Sequence, residues 1–173
     1  MGRRILVMGA SGNGKTTVAR ALATRLGVPH VELDALHHGP NWTEPTVDEF
    51  RARVASAVAD DAWVADGDYS SKLGDLVLER ADTVIWLDQP LPLILWRLWR
   101  RTSRRIRRRE ELWSGNRESW RGAFWGRESL FAWTVRSHFR KRRTFPPRFA
   151  RHSHLEVVRL RSPREVERYL ANP

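Results

Sequence analysis

The octapeptide Gly9-Ala10-Ser11-Gly12-Asn13-Gly14-Lys15-Thr16 constrains this chain more than any other feature. It matches G-x-x-x-x-G-K-[ST] in full, a loop whose glycines turn the backbone so that successive N–H groups converge on phosphate oxygens. Such a loop works between a strand and a helix, because the helix N-terminus adds positive potential at the same point. Both flanks are present. Residues 3–8 form a short apolar, β-rich run. Lys15–Leu26 reads as a helix with Val18, Leu22 and Leu26 on one face, stopped by Gly27 and Pro29. In that setting Lys15 reaches nucleotide β- and γ-phosphates, and the Thr16 hydroxyl is a Mg²⁺ ligand. Residues Gly9 to Thr16, with Thr17 behind them, are the expected ATP-binding set. A glycine-rich turn with an incidental lysine would need neither flank.

The rest of the chain alternates in the same way. His30–Leu33 predicts a second strand ending at Asp34, and Leu36–Pro45, with Gly and two Pro, a loop. Thr46-Val47-Asp48-Glu49 is a capping box opening a helix with Val47, Phe50, Val54 and Val58 on its apolar face. Ala62–Ala65 predicts a third strand ending at Asp66, Thr83–Leu87 a fourth ending at Asp88, and Leu155–Leu160 a fifth. Helical segments are expected over about 91–112 and 127–141, with a Trp-rich stretch of no clear period between them. Ser162-Pro163-Arg164-Glu165 starts the last helix. This alternation predicts an α/β fold, a parallel sheet covered on both faces. One domain is expected over 1–173, with 91–150 elaborated as a basic helical lid.

Composition narrows the setting. The chain has 173 residues and no cysteine, which removes disulfides and thiolate metal sites and fits a reducing compartment. The segment before the glycine loop is too brief for a signal peptide, and no apolar stretch reaches the ~18–20 residues that span a bilayer. A cytoplasmic chain without membrane association is expected. The net charge of +11 is unevenly spread: residues 1–90 carry 9 basic and 13 acidic side chains, residues 91–173 carry 22 and 7. A basic half of this kind calls for a polyanion, nucleotide phosphate or nucleic acid.

Asp34, Asp66 and Asp88 each end an apolar run, which places them at the carboxyl edge of the sheet where ligands bind. Each has a second reading as a cap of the following turn. The glycine loop, His30-Val31-Glu32-Leu33-Asp34 with Trp42 behind it, and Trp63-Val64-Ala65-Asp66-Gly67-Asp68-Tyr69 together resemble adenylate-kinase-related proteins of the topology-modulation (FlaR-like) family. The resemblance covers about residues 4–110 and is looser beyond. It implies a P-loop NTPase of the nucleoside-monophosphate-kinase type, with a five-stranded parallel sheet in the order 2-3-1-4-5 and an arginine-rich helical lid. It also implies transfer of the γ-phosphoryl group of Mg-ATP to a small acceptor, a nucleoside, a nucleotide or another hydroxyl metabolite. By the same resemblance Asp66 is the Mg²⁺ carboxylate alongside Thr16, and Asp34 the acid that orients or deprotonates the acceptor hydroxyl. Two departures stand out. Asp68 adds a negative charge where such proteins tend to carry Asn. The arginine that follows Asp-Gly in adenylate kinases is missing, with Ser70, Ser71 and Lys72 in its neighbourhood.

Eight arginines fall between Arg97 and Arg109, and Arg97, Arg101, Arg104, Arg105 and Arg108 share one helical face beside a stripe of Leu98, Thr102 and Ile106. The resemblance implies that such a lid neutralises the transferring phosphoryl group. Arg97, Arg101 and Arg105 are the catalytic candidates, and Arg117 of Gly115-Asn116-Arg117-Glu118 is a further phosphate ligand. Most of the remaining arginines read as a solvated face. Trp96, Trp99, Trp113, Trp120, Trp125 and Trp133 interleave with this basic half. Packing of the indoles is the favoured reading, stacking on single-stranded nucleic acid the other. The histidines show no zinc-ligand spacing.

Overall fold

The computed structural model describes residues 3–126 and 129–172. Its centre is a five-stranded parallel sheet of β1 (Arg4–Gly9), β2 (His30–Glu32), β3 (Trp63–Asp66), β4 (Thr83–Leu87) and β5 (Glu156–Leu160). The spatial order is β2-β3-β1-β4-β5, as expected. A strand with helices on both faces must be apolar on both, and every residue of β3 and β4 is buried. Ile5, Val7, Val64, Ile85 and Leu87 face α1 (Lys15–Leu26) and α8 (Pro163–Ala171). Leu6, Met8, Ala65, Val84 and Trp86 face α3 (Val47–Ala57), α4 (Ser70–Leu73) and the end of α7 (Leu130–Phe149). The remaining helices are α2 (Leu33–His37), α5 (Leu91–Arg108) and α6 (Trp120–Phe124).

The helix signals hold where they are local. Gly27 takes φ 64° and closes α1. The Thr46 hydroxyl accepts from the Glu49 N–H at 3.2 Å while Thr46 N–H donates to Glu49 Oε2 at 2.9 Å, a reciprocal capping box. Val47 departs from its expected place: at the first position of α3 it lies ahead of the buried stripe and is exposed.

Three boundaries differ for tertiary reasons. β2 stops at Glu32, and Asp34 lies in the first turn of α2, not at a strand end. Turning into helix there buries Leu33 and His37, four residues apart, on one face. A short 3-10 turn, Pro40–Trp42, follows in what was expected to be loop. α5 ends at Arg108, with Arg109 left-handed at φ 51°. α7 continues eight residues beyond the expected end, through Pro146 and Pro147, because Phe145 and Phe149 pack on Trp86 and hold the last turns down. The first two residues of that expected segment, 127 and 128, lie outside the described residues. The Trp-rich stretch resolves into a 3-10 turn (Trp113–Gly115) and α6.

The indoles of the basic half are mostly not interior. Trp96, Trp99, Trp120, Trp125 and Trp133 are exposed, Trp125 at 82%. Trp113 is half-buried.

Candidate active site

The glycine loop has the backbone its motif demands. Gly12 and Gly14 both take φ 84°, a region that side chains disfavour. Gly12 is needed for space as well: a Cβ there would lie 2.8 Å from the Ile94 carbonyl oxygen and 3.3 Å from Leu98 Cβ. That close approach seats the first turns of α5 on the loop, so the arginines that follow project beside it. Gly9, Ser11, Gly12, Gly14, Lys15, Thr16 and Thr17 line one continuous cleft, while Ala10 and Asn13 turn inward and are buried. Lys15 Nζ donates to the Ala10 carbonyl at 3.4 Å, curled over its own loop. Asn13 Oδ1 accepts from Gln89 N–H at 3.4 Å and ties the loop to the end of β4.

The three aspartates separate into three environments. Asp66, at the end of β3, is buried; its carboxylate accepts from the Thr16 hydroxyl at 3.0 Å and lies 2.7 Å from His30 Nε2. Asp34 accepts from the Tyr69 hydroxyl at 2.7 Å and opens onto the same cleft. Burial and then the Asp34 charge drive the Tyr69 phenol far above its ordinary pKa, so it stays a donor. Asp88 faces away from the cleft. It is buried, bonded to Arg142 at 2.7 Å and to Arg159, and joins α7 and β5 to the end of β4. Glu32, also on the cleft, has its carboxyl raised by burial and then by the neighbouring Asp66 charge.

Of the five arginines expected on one face, Arg97, Arg101, Arg104 and Arg105 line the cleft, and Arg108, in the last turn of α5, does not. Their partners distinguish them. Arg97 donates to Gln89 Oε1 at 2.7 Å, Arg104 pairs with Glu110 at 3.3 Å, and Arg105 with Glu118 at 3.1 Å. Arg101 makes no ion pair or hydrogen bond among the described residues, and its Nε is buried without a partner. Burial, then Arg105, depress its pKa. A guanidinium held this way is built to meet an anion. Arg117 lines the cleft rim, exposed and paired with Glu111 at 2.6 Å.

The segment that follows α5 packs on the turn after α2. Asn116, buried, accepts from Trp42 N–H at 2.8 Å and donates to the Gly39 carbonyl at 2.8 Å. Ser114 donates to the His38 carbonyl at 3.0 Å, and Trp113 stacks on His38 with centroids 5.7 Å apart. These contacts join residues 113–116 to residues 38–42, which follow α2. Lys72 donates to Glu44 and to His37 Nε2, both at 2.6 Å. Burial and then Lys72 lower the His37 pKa, keeping that ring a neutral acceptor.

Two residues, one beside the cleft and one lining it, escaped the sequence reading. Asn116 was visible, but nothing local shows that both ends of its amide have partners. Lys141 carried a signal within the run Arg140–Arg143. It falls on the stripe Thr134, His138, Lys141, Phe145, Phe149, the buried face of α7. Its ammonium reaches the Gly9 carbonyl at 3.0 Å and Asp68 Oδ2 at 2.8 Å.

Residues 5–88 match the family described as "ATPase family associated with various cellular activities (AAA)". Among solved structures, a shikimate kinase from Acinetobacter baumannii in complex with shikimate superposes with TM-score 0.58 at 21% identity, covering 96% of this chain and 89% of that one. A gluconokinase from Sinorhizobium meliloti 1021 gives TM-score 0.53 at 21% identity, covering 96% and 90%. The fold is that of a P-loop NTPase. A gluconokinase from Gluconobacter oxydans (strain 621H) is 62% identical over 39 residues, 22% of this chain; the match spans 22% of that relative's length. Among the described residues no helix is long and apolar enough to cross a membrane.

Proposed function

We propose that this chain is an ATP-dependent phosphotransferase that moves the γ-phosphoryl group to a hydroxyl of a small acceptor. One observation carries the reading: the phosphate loop, the unpaired Arg101 guanidinium and the Asp34–Tyr69 pair line a single cleft. The loop N–H groups and Lys15 hold the donor phosphates. Arg101 meets the charge on the group in flight. Asp34, oriented by Tyr69, accepts the proton of the acceptor hydroxyl. As a lid, the segment packed on the turn after α2 keeps water from the reacting phosphate. The shikimate kinase and gluconokinase of the same fold support a small hydroxyl acceptor. An adenylate-kinase-related, topology-modulation type and a cytoplasmic setting belong to the same proposal.

Mg²⁺ fits the oxygen donors present. It takes one or two protein ligands and keeps several waters, and the Thr16 hydroxyl and Asp66 carboxylate stand 3.0 Å apart beside the loop. Glu32 lines the same cleft, so a second carboxyl lies near the Asp66 charge. When bound, the ion neutralises charge on the β- and γ-phosphates. Asp66→Asn is expected to raise the Mg²⁺ concentration for half-maximal turnover by about tenfold or more, with every acceptor affected alike. An Mg²⁺ titration of turnover that superposes on wild type would remove Asp66 from this role.

The arginine series tests the cleft assignment. Arg101→Ala is expected to slow phosphoryl transfer by about 10²-fold, while Arg97→Ala and Arg105→Ala, whose side chains are held by Gln89 and Glu118, cost less. Single-turnover rates for the three variants check the ranking. Equal, small losses would mean that none of them meets the transferring group.

A second reading, a nucleic-acid-binding P-loop ATPase or regulator, has one observation in its favour. Trp96 and Trp99 stand about half exposed on α5, and the Arg100 guanidinium lies 5.5 Å from the Trp96 ring centre. Exposed indoles beside arginines suit stacked bases and phosphates. In that case α5 substitutions would weaken DNA binding by similar amounts and each flatten the salt dependence.

A further inference from the structure

Besides Lys15 and Arg101, assigned above to the phosphates, the cations lining the cleft include Lys72, Lys141 and Arg148. Lys72 is held by Glu44 and His37. Arg148 donates to Asp75 at 2.6 Å and to the Gly74 carbonyl, and reaches Asp68 only at 3.5 Å. Lys141 differs. Among the described residues its one carboxylate partner is Asp68, at 2.8 Å, and its other contact is the Gly9 carbonyl at 3.0 Å. The two side chains are 7% and 8% exposed, and the Trp133 and Phe145 rings lie 6.0 and 5.4 Å from the ammonium.

The place of this pair matters as much as its burial. Gly9 opens the phosphate loop, and Tyr69, next to Asp68, is the residue that bonds Asp34. The pair therefore forms wall between the phosphoryl donor and the base, where an acceptor must rest. A buried ammonium needs an anion beside it, and here the protein supplies its own. A ligand carboxylate arriving at this wall would meet the Asp68 charge, whereas a hydroxyl can bond to either member.

We infer that Asp68 is a specificity-determining residue: by neutralising Lys141 inside the cleft wall it selects an uncharged polyol or sugar-like acceptor over the corresponding acid. The word acceptor rests on the phosphotransferase reading; the charge exchange at Lys141 does not. Asp68→Asn keeps the shape and one carbonyl acceptor but removes the charge, leaving Lys141 to recruit a carboxylate from solution.

Glucitol and gluconate make a matched pair of probes, differing at one end by a hydroxymethyl or a carboxylate group. Wild type is expected to turn over glucitol with a kcat/KM at least about tenfold above that for gluconate, and Asp68→Asn to reverse the order. Thermal unfolding without ATP, in acetate against chloride at equal ionic strength, tests the site apart from catalysis. Acetate is expected to raise the Tm of Asp68→Asn by about 3 °C and to leave wild type and the double variant Asp68→Asn/Lys141→Met unmoved. If neither glucitol nor gluconate is a substrate, the phosphotransferase probe has failed and the acetate result alone decides the inference. A wild type that prefers gluconate, an acetate response common to all three proteins, or an Asp68→Asn chain that stays unfolded in acetate overturns it.

Discussion

Lys15→Ala is expected to lower ATP turnover by at least about 10²-fold, the usual loss when a preorganised contact to developing charge is removed. The ammonium contributes nothing to the core. Lys15 is half-buried at the mouth of the cleft, and its one hydrogen bond, to the Ala10 carbonyl at 3.4 Å, is long. Deleting it should leave the Tm within a few degrees of wild type. It should also leave the circular dichroism unchanged, so the loss would be catalytic and not structural. A folded variant with turnover within about threefold of wild type would contradict the assignment of this loop.

Asp34→Asn is expected to slow transfer by about 10²–10⁴-fold, the range for loss of a general base, while ATP affinity changes little. The separation follows from position. Asp34 is on α2 and bonded to Tyr69, whereas the proposed nucleotide contacts come from the loop and the start of α1. The amide preserves the Tyr69 hydrogen bond, so the geometry of the wall survives and only proton acceptance is lost. Nucleotide binding measured by Trp fluorescence, beside steady-state kcat, tells the roles apart. A variant that loses ATP affinity and keeps kcat would exchange the proposed roles of Asp34 and Asp66.

What was legible from the residues was local. The phosphate loop is an eight-residue statement about its own backbone, and the αL glycines and flanking strand and helix follow from it. Asp66 was one of three strand-terminal carboxylates by pattern alone; the resemblance, with the strand order it implies, singled it out. Asp34 was read as a strand end because a short apolar run has no period of its own; burial of Leu33 and His37 turned it into helix. The arginines could be placed on one face but not ranked. Their ranking comes from partners distant in sequence, Gln89 for Arg97 and Glu118 for Arg105, and from the absence of any for Arg101. Lys141 was masked by the three arginines around it, although the spacing to Phe145 and Phe149 already turns it inward. Asp68 was noticed as an added charge beside the acceptor; its neutralisation by α7 is a contact across 73 positions that no local pattern contains.

The central claim is phosphoryl transfer to a small hydroxyl compound, and following the label from γ-labelled ATP tests it most directly. The purified chain would be incubated with Mg-ATP and a panel of nucleosides, nucleotides, sugars, polyols and hydroxy acids, with single-stranded DNA in a parallel set. The expected result is label in one class of small phosphorylated product, formed at a rate that depends on the acceptor and falls away with Lys15→Ala and Asp34→Asn. Label appearing only as free phosphate, accelerated by DNA and indifferent to every small acceptor, would contradict the claim and favour the nucleic-acid reading of α5.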